Sequence, residues 1–155
     1  MKNYLKQIKD NGGNTVRIWV HTEGDRNPSF DGSGNVTGTD PSGTLVADMK
    51  KYALAAQDMD MMVIFTFWNG AVLRNQKTIS MLNDDSKYGT WLNNALRPIV
   101  SGLKGIPSVV GWEIFNEPEL SVTPGQYDSD ACHDTNRLSG TGAGNTGHFF
   151  SMRQI

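Results

Sequence analysis

The residues most able to do chemistry stand in the segment Gly111-Trp-Glu-Ile-Phe-Asn-Glu-Pro-Glu119. At Asn116-Glu117-Pro118 a carboxyl and an amide follow directly on a run, 108–115, with the composition of a strand. A carboxyl where a buried α/β strand meets its following loop is a common site of acid/base chemistry. Pro118 cannot continue a central strand and disfavours the helical region for the residue before it. The sequence therefore predicts an extended Glu117, held at the rim.

Two further residues belong to the same question. Glu113 lies four positions before Glu117, so along a strand the two share a face, separated by about 13 Å at strand rise. That is too far for two carboxyl groups to act on one bond. A carboxylate facing the inside of a sheet needs a partner, and Arg17 on an adjacent strand is the obvious one. Glu113 is thus expected to be structural. His21, Cys132, His133 and His148 show no zinc-type spacing, so neither a metal nor a cofactor is expected. Asp128, Asp130 and Asp134 are better read as an acidic surface loop than as a calcium site. Cys132 is the only cysteine and cannot close an intrachain disulfide.

The elements that must position these groups alternate regularly. Tyr4, Leu5 and Ile8 share a helical face, ended by Asn11-Gly12-Gly13. Residues 14–20 read as a strand, and 21–43 as a connection long enough to be functional. Leu45, Met49, Tyr52, Ala53 and Ala56 give a helix over 44–58, and 61–67 is a continuous apolar strand closed by Trp68-Asn69-Gly70. A third helix carries Trp91, Leu92, Ala95, Leu96, Val100 and Leu103, with a kink expected at Pro98. The strand at 109–115 follows, then a polar loop over 118–147 and a last helix from 148. The order αβαβαβα, without a hairpin signal between the strands, implies parallel strands with right-handed helical crossovers. Each βα unit takes about 47 residues, so eight would need about 375, within the range of an elaborated barrel. The fold class expected is α/β, a fragment of a (β/α)8 TIM barrel in which 1–155 form one domain incomplete at both ends. An open doubly wound sheet is the rival, but no Gly-rich phosphate loop follows any strand.

Composition narrows the function. At 155 residues the chain can bury one core, and a formal charge of −2 offers no electrostatic footprint for nucleic acid or an anionic membrane. No apolar stretch approaches the roughly 20 residues of a membrane span, and 1–9 lack the apolar core of a secretory leader.

Four segments, in order, carry a resemblance: Asn11-Gly-Gly-Asn-Thr-Val-Arg-Ile-Trp19, Phe67-Trp-Asn69, Gly111-Trp-Glu-Ile-Phe-Asn-Glu-Pro118 and Leu138-Ser-Gly-Thr-Gly-Ala-Gly144. Together they resemble glycoside hydrolase family 5, and within it the endo-β-1,4-mannanases of molluscs and other invertebrates. The resemblance implies that the strands are the second to fourth of the barrel, accompanied by helices one to four. It implies a retaining mechanism with Glu117 as general acid/base. Asn116 would bond the sugar 2-hydroxyl and the nucleophile, and Arg17 would help keep that nucleophile ionised. The nucleophile itself, a strand-seven glutamate, would lie beyond residue 155. Where many members carry a histidine near the end of strand three, this chain has Phe67-Trp68-Asn69. Sugar rings stack on indoles, which makes Trp68 and Trp19 candidate platforms, with Asn69 and His21 as polar contacts. Trp112, of opposite parity to Glu117, is expected in the core.

The expected partner is then a polysaccharide, mannan or a related β-1,4-glycan, and the expected setting of the parent protein is extracellular. A secreted parent would also account for Cys132 as half of a lost disulfide. Preference for β-glucan and a carbohydrate-binding remnant without turnover are the alternatives. Three strands cut from a barrel predict self-association of the chain alone.

Overall fold

In the computed structural model the residues described are 2–70, 73–117, 123–124 and 138–139. Helix α1 (Lys2–Asp10) ends as its sequence demands. Gly12 takes φ +84°, and the N–H groups of Gly12 and Gly13 return to the carbonyls of Lys9 and Ile8, both at 2.9 Å. These are the two bonds of a Schellman cap, for which a left-handed residue without Cβ is the cheapest solution.

Strand β1 (Thr15–Thr22) follows. The long connection after it, read from its length as a functional loop, holds a small antiparallel pair, β2 (Ser29–Phe30) with β3 (Val36–Gly38). Asp31 organises the turn, its carboxylate accepting from the N–H groups of Ser33 and Asn35 and from the Asn35 amide. Helix α2 (Leu45–Gln57) leads to β4 (Met62–Asn69).

Two short helices, α3 (Gln76–Leu82) and α4 (Asp85–Trp91), occupy a stretch to which the hydrophobic pattern assigned no element. Each opens on a side-chain cap, Asn75 accepting from Lys77 and Thr78 and Asp84 from Ser86 and Lys87. That polar signal was present where apolar periodicity was too brief to register. A π-turn at Leu92–Leu96 joins α4 to α5 (Arg97–Leu103), the Arg97 N–H reaching back to the Leu92 carbonyl. Pro98 stands just after it. A proline lacks its own N–H and crowds the carbonyl one turn earlier, and a widened turn accommodates both demands.

Strand β5 (Val109–Asn116) completes a three-stranded parallel sheet in the order β1-β4-β5. Beyond it, β6 (Thr123–Pro124) pairs antiparallel with β7 (Leu138–Ser139). The loop residues Cys132, His133, Asp128, Asp130 and Asp134 and the helix expected from His148 lie outside the described residues.

The core lies between this sheet and its helices. Val16, Val63, Phe65 and Phe67 face Ala53, Ala56, Ile99 and Leu103, all buried. Trp112 stacks on Phe65 and Phe67 at 5.5 and 5.9 Å, which places it on the helix side as its parity predicted. The opposite face of the sheet carries Arg17, Trp19, Met62 and Glu113, among which Trp19 is 38% and Met62 39% exposed. This open, partly polar face ends at the C-terminal tips of the strands, where ligands of α/β sheets bind.

Candidate functional site

The site is assembled by parallel pairing. Thr66 of β4 is opposite Trp19 of β1 on one side and Glu113 of β5 on the other, and Asn69 is opposite Asn116. Arg17 reaches from β1 across β4 to β5, a span of about 10 Å at ordinary strand spacing. Its Nε donates to Glu113 Oε2 at 2.6 Å and its Nη2 to Asn116 Oδ1 at 3.0 Å. The guanidinium lies over the Trp19 ring, 5.1 Å from its centroid, a cation–π arrangement that restrains its plane. The expected Arg17–Glu113 pair is therefore formed. Both side chains keep about a third or more of their surface in solvent, 36% and 41%, so the pair contributes orientation more than stability.

Glu113 has a second partner. The Thr66 hydroxyl donates to the same Oε2 at 2.5 Å. That bond, and then the Arg17 guanidinium, hold the Glu113 carboxyl below the usual carboxylate range against the opposing effect of desolvation. Thr66 was missed in the sequence. It is fully buried, and within the apolar run 61–67 it is the lone polar side chain. A buried hydroxyl requires a partner, and that was the available signal.

Glu117 stands directly beyond β5. The Asn116 amide donates from Nδ2 to Glu117 Oε2 at 3.1 Å and to Asn69 Oδ1 at 3.3 Å. The backbone corrects the expectation of an extended residue: Glu117 has φ +47°. A left-handed conformation costs a non-glycine residue about 1–2 kcal/mol, and the contacts around Asn116 override the local preference set by Pro118. Thr22, at the corresponding end of β1, is also left-handed at φ +54°. Strain of this kind collects at functional rims, where it aims side chains. Strict alternation would also have turned Asn116 away from Glu113, yet its amide meets Arg17 on the Glu113 side.

Two expected sugar contacts are not surface residues. Trp68 is fully buried, its ring 4.6 Å from His21 and 5.7 Å from Trp91, so the proposed platform has no open face. His21, 1% exposed, is equally enclosed. Its Nε2 accepts from Trp91 Nε1 at 3.1 Å, so the ring proton sits on Nδ1, bonded to Asn27 Oδ1. Burial lowers its pKa to about 4 despite the Asn27 bond. A neutral, doubly engaged imidazole in an aromatic cluster is a pin for the loop carrying Asn27. The bulge between Trp19 and Thr22 explains the error, since it breaks the alternation that would leave His21 at the rim. Trp19 and Asn69, by contrast, remain accessible beside the polar network.

A groove of about 570 Å³ opens between the β1–α2 connection and the start of α3, lined by Asp25, Arg26, Phe30, Asn75 and Lys77 among others. It contains none of the residues predicted for the site. Among the described residues there is no cluster of three or more potential metal ligands.

Helix-backed parallel strands with a carboxyl–amide pair at their C-terminal rim have the architecture of part of a (β/α)8 barrel. Residues 1–137 match the family described as Cellulase (glycosyl hydrolase family 5), and the chain belongs to that family. It is 44% identical to a mannan endo-1,4-beta-mannosidase of Mytilus edulis, covering 97% of this chain and 41% of that protein. A mannan endo-1,4-beta-mannosidase of Cryptopygus antarcticus is 41% identical, over 100% of this chain and 40% of its own length. The structure resembles the crystal structure of an endo-1,4-beta-mannanase from Eisenia fetida, with a TM-score of 0.80 at 40% identity, covering 87% of this chain and 37% of that one. The chain thus spans about two fifths of the length of the curated relatives it matches.

Proposed function

We propose that this chain carries the acid/base half of a retaining endo-β-1,4-mannanase. The observation that supports the reading is the position of Glu117: beyond the C-terminal end of a parallel strand, its carboxyl bonded by the amide of Asn116. In such a mechanism one carboxylic acid protonates the departing glycosidic oxygen, and the same group, then ionised, activates water for the second displacement. Asn116 would contact the sugar as well as Glu117, Arg17 would organise the floor of the site, and Asn69 and Trp19 would flank the chain of sugars. The substrate class follows from the names of the relatives; a polysaccharide too large to cross a membrane would place the parent protein outside the cell.

A retaining mechanism needs a second carboxylate about 5–5.5 Å from the first, free to attack. Glu113 does not qualify, because it lies four strand positions before Glu117, about 13 Å away at strand rise, and is committed to Arg17 and Thr66. Assayed alone, the 155-residue chain is therefore expected to turn over neither mannan nor carboxymethyl cellulose. In protein that does cleave mannan and contains this sequence, Glu117→Gln is expected to lower kcat by about 10²-fold or more while oligosaccharide binding persists. Unchanged turnover in Glu117→Gln would remove Glu117 from the acid/base role. The family's description as Cellulase keeps β-glucan as the second reading, and faster cleavage of carboxymethyl cellulose than of mannan would favour it.

A further inference from the structure

We propose that Thr66 and Glu113 are positioning residues that decide which oxygen of Glu117 carries its proton. The proposal rests on the reading of Glu117 as the general acid and deepens it. Its basis is a one-way chain of donors and acceptors. Thr66 Oγ1 and Arg17 Nε converge on Glu113 Oε2 at 2.5 and 2.6 Å, which, with Trp19 beneath the guanidinium, fixes where Nη2 points.

A guanidinium can only donate. Asn116 must therefore present Oδ1 to Arg17, as it does at 3.0 Å, and its NH2 is left facing Asn69 Oδ1 and Glu117 Oε2. That NH2 can also only donate, so Glu117 Oε2 is an acceptor whether the carboxyl is ionised or not. In the acid form the proton then sits on Oε1, the oxygen not engaged by Asn116.

A flipped amide would reverse this. Oδ1 of Asn116 would accept the Glu117 proton and hold it inside the protein, away from a departing oxygen. Thr66 is suited to prevent the flip because it is fully buried at the centre of the sheet, between its β1 and β5 partners. Glu113, kept ionised by Thr66 and Arg17, retains its acceptor through neutral pH.

The test needs no turnover. In ¹⁵N-labelled protein that contains this sequence, at a concentration where it sediments as a monomer, the Asn116 side-chain amide resonance is followed against pH, with the backbone resonances of Val63 and Phe65 as the control for the core. The wild type is expected to show a titration step that Glu117→Gln abolishes. Thr66→Val and Glu113→Leu are expected to shrink that step by about half or more, and Thr66→Ser, which restores the hydroxyl, to keep it. Should Thr66→Val disturb the core resonances, Glu113→Leu and Thr66→Ser carry the result. A full-size step in Glu113→Leu, a step lost in Thr66→Ser, or no step in the wild type would overturn the proposal. Because the resonance reports the hydrogen bond and not hydrolysis, failure of the acid/base reading would show separately, in the Glu117→Gln assay.

Discussion

Under the proposed function Glu117 and Asn116 would work as a unit, their roles divided by what each can donate. The Asn116 amide donates to one carboxyl oxygen and would leave the other for chemistry, which is why Glu117→Gln should separate turnover from binding. His21 offers a different residue-scale prediction. Its ordinary pKa of 6.5 falls to about 4 in the folded chain. Between those values the unfolded chain binds a proton that the folded chain refuses, so this contribution to stability is complete above pH 6.5 and is lost as pH falls toward 4. The two values imply a loss on the order of 3 kcal/mol. Among the described residues its imidazole ring contacts Asn27, Phe67, Trp68 and Trp91, none of them charged. Chemical denaturation of wild type and His21→Gln at pH 7 and pH 5 should show a smaller pH difference in the variant, because its amide does not titrate. Equal differences would remove His21 as the source.

At the scale of elements, α3 and the β1–α2 connection are joined through Asn75 and Gly24. Asn75 caps α3 and also donates to the Gly24 carbonyl and the Asp25 carboxylate, at 3.3 and 3.1 Å. Asn75→Ala is expected to cost about 1 kcal/mol for the cap alone, measured as a lower denaturant midpoint at unchanged slope. Gly24 has φ +86°, and a Cβ there would stand 2.1 Å from Thr78 Oγ1, a hydroxyl already bonded to the Glu23 carbonyl. Gly24→Ala should therefore destabilise more than Asn75→Ala, through a forbidden φ and displacement of Thr78. These contacts were partly legible: Asn75 and Asp84 are good N-cap residues in the sequence, but α3 and α4 are each seven residues long. A helix of two turns gives too little apolar repeat to announce itself, and only packing against the sheet sustains it.

For the whole molecule, the sheet order β1-β4-β5 leaves β1 and β5 as edges among the described residues. Tyr4 and Val110 are 72% and 51% exposed, and Ile8 borders a cavity against Val16 and Ile18. Unpaired strand edges beside apolar surface promote association. The 155-residue chain alone is expected to self-associate, with a sedimentation coefficient that rises with concentration. A monodisperse monomer that unfolds cooperatively would contradict this.

The alternation of helix and strand, the parallel topology and the strand-end carboxyl were legible because period, β-branched content and turn chemistry are local properties of the sequence. The Arg17–Glu113 pair was legible for a related reason: a charge on the inner face of a sheet demands an opposite charge nearby. What only the tertiary structure decided is orientation. The bulge after Trp19 takes His21 out of the rim, the surrounding aromatics enclose Trp68, and Glu117 turns left-handed against the bias of Pro118. Each outcome is set by contacts between residues dozens of positions apart, and those contacts outweigh the one or two kcal/mol of any local preference. Thr66 shows the same division. Its type and burial were foreseeable, but its partner, 47 positions away on β5, exists only once the strands are side by side.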